Sequence, residues 1–236
     1  ISCKKLEIEV LHEESLLDIG GAIHNLAETL SYNGKILILN GDQFLFLSNN
    51  EIEDVSTISE NYVVTLLGLP VPANSEYNEL ILDKNILKSI ESPMEGKEYY
   101  TYSGVSVINL DKLTPVSGKT KFFDSVANFN NQDVYVVQPE EFEYWDFGTT
   151  TRYVDSMRKV LVSEDSLFKN FLIRNSSFSE NKVINDNCYN SEGLKFSINL
   201  GNENAPRGFG NIVLKGVDVD HGNDRVVIFD EEVSKP

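Results

Sequence analysis

Two aspartates in this chain each stand where an apolar run meets a glycine turn. The first run, Lys35–Leu39, continues into Asn40-Gly41-Asp42, and the second, Glu143–Trp145, continues into Asp146-Phe147-Gly148. Each pattern predicts a buried strand that ends at a tight turn, with a carboxylate in that turn. Taken singly, either aspartate is explained well enough as the cap of the turn or helix that follows it.

As a pair, these aspartates indicate a ligand site. In open α/β sheets ligands bind beyond the carboxyl ends of the strands, so we expect Asp42 and Asp146 to lie on the same side of the sheet, close enough to share one ion. Magnesium is commonly held by one or two carboxylates together with phosphate oxygens of a substrate. The pair would therefore suit Mg²⁺ bound to a phosphate group.

The net charge of -17 over 236 residues limits the kinds of molecule that the chain can be expected to bind. It argues against nucleic acid and anionic membranes, which need clustered Lys and Arg, but it is compatible with a phosphorylated small molecule. Cys3 and Cys188 are too few and too far apart for a disulfide framework or a metal cluster. No apolar run approaches the ~20 residues that span a bilayer, and we expect a cytoplasmic protein.

Hydrophobic periodicity predicts the order strand, helix, strand near the start of the chain. The strands are expected at Leu6–Val10 and Lys35–Leu39, and a helix at Ala22–Leu30 has apolar residues spaced at i, i+3, i+4 and i+7. This βαβ order implies a parallel pair of strands. The expected fold class is α/β, with a Rossmann-like mixed, mostly parallel sheet flanked by helices and a β-rich C-terminal extension.

Turn residues and composition predict further elements. Gly104, in the middle of a β-rich run, indicates a bulge or a point where a ligand approaches the backbone. Thr149 or Thr150 is a natural N-cap for a helix that reaches Val160. Strands are expected at Asn61–Leu69, Glu79–Leu82, Ile86–Ile90, Tyr100–Leu110 and Val134–Gln138.

The composition changes near residue 161, where Asn, Ser and Gly become dense, so we expect two domains, 1–160 and 161–236. Short apolar pieces in the second domain, at 194–200, 211–219 and 225–229, are typical of strands, and no strict repeat period is evident. Three such strands need a partner surface. We expect a small β-layer, packed on the first domain or on a second subunit, that includes Ile198, Leu214, Val217 and Ile228.

The three histidines do not indicate a site of their own. His12 is expected to be exposed, His24 is expected on the polar side of its helix, and His221 follows alternating residues typical of a solvated strand. The serines around Gly104 lack the strand–turn–helix frame of a nucleophile elbow, which argues against a serine hydrolase.

Four motifs, taken in order, resemble the sugar-phosphate nucleotidylyltransferases of the short bacterial type. Enzymes of this family join a nucleoside triphosphate to a sugar 1-phosphate and release pyrophosphate. The resemblance implies that residues 1–160 form a catalytic domain of this kind, with those two compounds as its substrates. The motifs are Leu16–Ile23, Ile38–Asp42, Tyr100–Val105 and Trp145–Thr149.

The resemblance also implies a role for individual residues. Asp42 and Asp146 would hold Mg²⁺ against the triphosphate and the attacking sugar phosphate, because phosphoryl transfer depends on positioning and on neutralising charge. Gly21 would let the nucleotide or sugar approach the start of a helix, Gly104 would lie against the sugar ring, and Glu91 would hydrogen-bond sugar hydroxyls. The implied substrate-binding residues are Gly21, Gly41, Glu91 and Gly104.

Two departures from the family pattern leave a second hypothesis open. The family's Gly-rich loop, with its Arg and Lys, would precede Ile1, so this chain alone is expected to lack part of the triphosphate site. Where many relatives have Glu-Lys-Pro, this chain has Glu91-Ser92-Pro93, and Lys88 or Lys97 would have to supply the missing charge. The alternative is a non-catalytic module, a regulatory paralogue that binds a sugar phosphate or a nucleotide sugar.

Overall fold

The structure, a computed structural model, describes residues 11–30, 32–73, 75–149, 152–153, 155–156, 159–160, 163 and 166–175, followed by a series of C-terminal strands. The chain forms two compact units. The first consists of Ile1–Asn40 and Ser48–Glu141, and the second of Gly41–Leu47 and Phe142–Pro236. The domain division expected at residue 160 stays a prediction. Among the described residues, no helix has both the length and the apolar character needed to cross a bilayer.

The first unit contains a six-stranded mixed sheet. Its strands are β1 (Lys35–Ile38), β3 (Val64–Val71), β4 (Glu79–Asp83), β5 (Ile86–Glu91), β6 (Tyr99–Asn109) and β7 (Val134–Val137). They lie in the order β1-β6-β3-β7-β5-β4. The helices of this unit are α1 (Asp18–Leu30) and α2 (Asn49–Ile58), and short helical turns occur at Leu110–Lys112 and Phe122–Val126. The mixed α/β class predicted from the sequence is confirmed.

The strand directions differ from those expected. In this sheet only β3 and β7 pair in parallel, and the other four pairings are antiparallel. The expectation of a mostly parallel sheet is therefore wrong for the described strands. It was based on Leu6–Val10 as a parallel partner of β1, but that segment lies outside the described residues, and β1 itself pairs antiparallel with β6.

The core of the first unit is built around β3, whose first six residues are all buried. This continuous apolar run is what a central strand covered on both faces requires. Pro70 lies within β3, opposite Tyr100, and the strand ends at Val71, just before Pro72, because proline has no N–H to donate to a sheet ladder. The buried core residues are Ile23, Val64, Leu66, Leu80, Leu87, Ile108, Leu110, Leu113, Phe122, Val126, Ala127, Val134 and Val136.

Two local features of this unit bear on the sequence predictions. Gly104 has φ +82° and lies where the register of β3 against β6 shifts, so the predicted bulge is present. His24 was expected on the polar side of α1 but is buried, because the first half of the helix, where Gly20 lies one turn before His24, packs inward on this side too. Burial lowers the pKa of His24. A neutral imidazole is the form that such burial favours.

The second unit begins with a two-stranded antiparallel ribbon of β2 (Gln43–Leu47) and β8 (Phe142–Asp146). Helix α3 (Leu167–Asn175) packs on this ribbon through Phe168, whose ring lies 4.7 Å from Phe44 and 5.1 Å from Trp145, centroid to centroid. Phe168 is only 1% exposed, so these aromatic contacts are the apolar core of the described part of this unit.

Glu143, on β8, fixes the start of α3. Its carboxylate accepts hydrogen bonds from Ser166 Oγ at 2.6 Å and from the backbone N–H groups of Leu167 and Phe168 at 2.7 and 2.9 Å. Trp145 Nε1 donates a fourth at 2.6 Å. Partial burial raises the pKa of Glu143, but these hydrogen bonds outweigh it, and the pKa lies below its ordinary value.

We expect Glu143→Gln to lower the free energy of unfolding by about 1–3 kcal/mol, because it weakens charge-assisted hydrogen bonds to a helix start. The control is Glu141→Gln, an exposed glutamate two residues earlier, which should change it by less than about 0.5 kcal/mol. The pKa of Glu143 is lower in the folded than in the unfolded protein. The wild type is therefore more stable than the variant at pH values above the ordinary glutamate pKa, and this difference in the free energy of unfolding is lost as the pH falls through the folded-state pKa. Urea unfolding at pH 7 and in acid measures both effects, and a difference that grows in acid would contradict this role.

The C-terminal strands have a regular register that the sequence did not reveal. Ile184, Ile198, Ile212 and Val226 pair in parallel one after another, each fourteen residues after the one before. The pairing of Leu194 with Gly208 has the same spacing. Successive parallel strands at a constant spacing indicate coils of a β-solenoid.

The predicted β-rich extension is therefore present, whereas the β-layer expected from Ile198, Leu214, Val217 and Ile228 stays a prediction. Val217 lies outside the described residues, and only the backbone of the other three is described. The strands are β9 (Ile184–Asn185), β10 (Leu194–Lys195), β11 (Ile198–Asn199), β12 (Gly208–Phe209), β13 (Ile212–Lys215), β14 (Asp218–His221) and β15 (Asp224–Phe229).

Candidate functional site

The β2–β8 ribbon brings Asp42 and Asp146 to the same end of the second unit. Asp42 immediately precedes β2, and Asp146 is the last residue of β8, where it pairs with Gln43. Because the two strands are antiparallel, the start of one lies beside the end of the other. The Phe147 N–H donates to the Asp42 carbonyl at 2.9 Å and closes this end of the ribbon.

The two carboxylates converge on the space where Gly148 has no side chain. A Cβ placed on Gly148 would lie 2.8 Å from Asp42 Oδ2 and 3.1 Å from Asp146 Oδ1. Both oxygens therefore face one small volume, and the distance between them cannot exceed the sum of these two values. The convergence predicted from the sequence is present, although it arises from an antiparallel ribbon and not from the carboxyl ends of parallel strands.

Asp146 is held on both sides of its carboxylate. Its Oδ1 accepts a hydrogen bond from the Gly148 N–H at 2.8 Å, and its Oδ2 lies 3.1 Å from Arg152 Nη1. The residue is 8% exposed, whereas Asp42 is exposed. One carboxylate is thus oriented by the protein and the other is able to adjust to a ligand.

Arg152 was not identified from the sequence, because a single arginine six residues after an aspartate is not a recognisable motif. It lies at the start of the helix that the sequence predicts after Thr149. The Arg152 N–H donates to Thr149 Oγ1 at 3.2 Å, and the Tyr153 N–H donates to the Thr149 carbonyl at 2.8 Å. These bonds identify Thr149 as the N-cap, one of the two residues predicted for that position.

The donor set fits a magnesium ion that is shared with phosphate. One oxygen of each carboxylate lies within 3.1 Å of the position that a Cβ on Gly148 would take. Mg²⁺ is usually bound by one or two carboxylates, with waters and substrate phosphates completing its shell. Within the described residues no cluster of three or more Asp, Glu, His or Cys side chains offers an all-protein site. The roles of Asp42 and Asp146 as ligands remain a prediction.

The other predicted site residues are distributed over both units. Gly41 belongs to the second unit, and a Cβ placed on it would meet nothing within 4 Å. Gly21, Glu91 and Gly104 belong to the first unit. Glu91 is exposed at the end of β5, where Ser89 Oγ donates to its carboxylate at 2.6 Å. The substrate-binding roles implied for all four residues remain predictions.

Gly21 also has a reason to be glycine that involves no ligand. A Cβ at this position would lie 2.5 Å from the Gly118 carbonyl oxygen, and the Gly21 N–H donates to the Thr120 carbonyl at 3.0 Å. The start of α1 is thus packed directly against the backbone of the segment that precedes Phe122. Backbone atoms cannot move aside as a flexible side chain can.

We expect Gly21→Ala to lower the free energy of unfolding by about 1–3 kcal/mol, because the added methyl group overpacks this contact. Thr29→Ala, at an exposed position on the same helix, should change it by less than about 0.5 kcal/mol. Chemical denaturation measures both. A Gly21→Ala protein of wild-type stability that fails to bind nucleotide would favour the role implied by the family resemblance over the packing role.

Comparisons with known proteins give a partial likeness to solved structures. One is HddC from Yersinia pseudotuberculosis complexed with GMP-PN, which is 20% identical over 61% of this chain and 63% of that chain, with a TM-score of 0.47. Another is a provisionally named glucose-1-phosphate thymidylyltransferase from Bacillus anthracis in complex with a sucrose, 15% identical over 67% of each chain, with a TM-score of 0.48.

Each match covers only part of this chain and only part of the matched chain. The matched region spans less than two thirds of the HddC chain. No protein-family model and no curated protein matches this sequence.

Proposed function

We propose that this chain carries the cation-binding part of a nucleotidyltransferase, which transfers a nucleoside monophosphate from a nucleoside triphosphate to a sugar 1-phosphate and releases pyrophosphate. The observation that supports this most strongly is the convergence of Asp42 Oδ2 and Asp146 Oδ1 on the vacant Cβ position of Gly148. These are the two carboxylates to which the sequence motifs assign the metal.

In this proposal the residues position phosphate groups and do no covalent chemistry. A magnesium ion held by Asp42 and Asp146 would supply positive charge at the transferring phosphorus and the leaving oxygens. Asp146 contributes a pre-oriented oxygen, because Gly148 and Arg152 hold its carboxylate. Ser156 Oγ donates to the Asp146 carbonyl at 3.0 Å and ties the same residue to the helix after Thr149. Such preorganisation reduces the rearrangement needed when substrate binds.

The experiment is a pyrophosphate-release screen of the full-length protein with Mg²⁺, across the common nucleoside triphosphates and a set of sugar 1-phosphates. We expect release that requires both substrates. If calorimetry detects binding of a sugar phosphate or a nucleotide sugar but no pair gives pyrophosphate, the transferase proposal is wrong and the non-catalytic module is favoured. If neither binding nor release is observed, both hypotheses are wrong.

A further inference from the structure

The contacts of Arg152 give this residue a function that no sequence motif assigns. Its guanidinium lies 3.1 Å from Asp146 Oδ2, on the side of the carboxylate opposite to the oxygen that faces Gly148. Asp146 Oδ1 is thereby left to face the volume shared with Asp42 Oδ2. We propose that Arg152 is a positioning and charge-balancing residue, which makes this site bind a divalent cation together with phosphate and bind the free cation only weakly.

Contacts on both carboxylate oxygens fix the orientation of Asp146. A carboxylate that is hydrogen-bonded through only one oxygen can rotate, whereas Asp146 has a different partner on each oxygen. The position of Arg152 is itself fixed, because its N–H donates to the N-cap hydroxyl of Thr149. The orientation of Asp146 Oδ1 toward the Gly148 volume therefore depends on the first turn of the helix and is in place before a ligand arrives.

Arg152 also changes the net charge of the site, because it forms an ion pair with Asp146. Asp42 and Asp146 together carry two negative charges, which would attract a free divalent cation and repel phosphate. Arg152 cancels one of them. Its side chain is 32% exposed and that of Asp146 is 9% exposed, so the pair is screened only in part by solvent. With one net negative charge in place of two, the site attracts a free divalent cation less strongly. It also repels less strongly a phosphate group that carries a bound cation.

The alternative is that Arg152 only ties the helix to β8. In that case its removal would lower stability and would weaken both kinds of ligand, since a misplaced Asp146 serves neither. The charge-balancing role predicts opposite changes for the two ligands. This inference rests on the proposed function, since it concerns the same site, but it is tested by binding and does not require turnover.

The test compares wild type, Arg152→Gln and Arg152→Lys in the full-length protein. The probes are Mn²⁺ alone, followed by electron paramagnetic resonance, and the Mn²⁺–pyrophosphate complex, followed by calorimetry. Gln removes the charge but keeps an N–H donor for Asp146 Oδ2, and the Gly148 N–H still holds Oδ1, so Asp146 stays oriented. We therefore expect Arg152→Gln to bind Mn²⁺ alone about fivefold to tenfold more tightly, and Mn²⁺–pyrophosphate more weakly by a similar factor. Arg152→Lys keeps the charge and should stay within about twofold of wild type for both.

The outcomes separate this inference from the proposed function. If Arg152→Gln weakens both ligands together or changes neither, the charge-balancing role is wrong. If Arg152→Gln does not fold, Arg152→Lys still tests the charge-balancing role, because it keeps the positive charge. Tighter binding of Mn²⁺ alone together with weaker binding of Mn²⁺–pyrophosphate in Arg152→Lys would contradict a role based on charge. Asp42→Asn serves as the reference: if it leaves Mn²⁺–pyrophosphate binding unchanged, the cation site of the proposed function is itself wrong.

Discussion

Asp42→Asn should reduce sugar-dependent pyrophosphate release by about 1,000-fold, because it removes a charge and a cation ligand at once, and such a loss corresponds to about 4 kcal/mol of transition-state stabilisation. Asn keeps the size of the side chain. The side chain of Asp42 is exposed and its Oδ2 faces the Gly148 volume, so the variant should fold normally. The rate should fall through kcat, since the lost interaction acts on charge that develops during transfer.

The matched control is Asp111→Asn, an exposed aspartate in the helical turn Leu110–Lys112, which should retain the wild-type rate. Initial rates across a range of Mg²⁺ concentrations measure the effect, and thermal unfolding checks the fold of both variants. An Asp42→Asn enzyme with more than about a tenth of wild-type kcat would show that Asp42 is not a ligand that the reaction needs.

Gly148→Ala should reduce kcat/KM by about 100-fold while leaving the fold intact, because misplacing catalytic groups by about 1 Å costs a factor of this size. The new methyl group would lie 2.8 Å from Asp42 Oδ2 and 3.1 Å from Asp146 Oδ1. Asp42 Oδ2 is the exposed end of a side chain and can move aside at little cost in stability. The Asp146 carboxylate, in contrast, would have to loosen its contacts with the Gly148 N–H and Arg152 while the backbone stays in place. In moving aside the two oxygens would leave the volume in which a cation would be shared.

The control for this variant is Asn170→Ala, at an exposed position on α3 of the same unit. We expect Mn²⁺–pyrophosphate affinity to be unchanged in Asn170→Ala and to fall in Gly148→Ala. Equal affinities in the two variants would mean that the space beside Gly148 is not where the cation binds, whatever happens to the rate.

The sequence predicted the position and type of many elements, because hydrophobic periodicity and turn residues are local. The hairpin of β4 and β5, for instance, follows from the Asp83-Lys84-Asn85 turn, in which Lys84 and Asn85 have positive φ angles. Strand direction is set by pairing between distant segments and has no local signal. This is why β1, expected to pair in parallel, is antiparallel to β6.

Other parts of the structure were missed for identifiable reasons. Interpreting Asp42 as the end of a strand hid β2, which begins at the next residue, although Gln43–Leu47 is largely aromatic and aliphatic. The helix α2, capped by Ser48 Oγ accepting from the Glu51 N–H, was missed with it. The fourteen-residue register of the C-terminal strands is hard to see in the sequence, because the residues between the recurring aliphatic positions, such as Ile198 and Ile212, differ from one coil to the next.

The candidate site, too, could be predicted from the sequence only in part. Asp42 and Asp146 were identifiable because carboxylates beside glycine turns form a pattern within a few residues. Their meeting at Gly148 depends on the register of β2 against β8, which the sequence does not display. Arg152 had no signal, since its importance comes from its distance to Asp146 in space and not from its place in a motif.

The most direct test of the cation site is a diffraction experiment on the full-length protein soaked with Mn²⁺ and pyrophosphate. The anomalous difference map locates the ion independently of any assay. We predict one peak beside Gly148, about 2 Å from both Asp42 Oδ2 and Asp146 Oδ1, with pyrophosphate oxygens completing its shell. A peak bound by neither aspartate, or by only one of them with the other turned away, would contradict the shared site on which the proposed function depends.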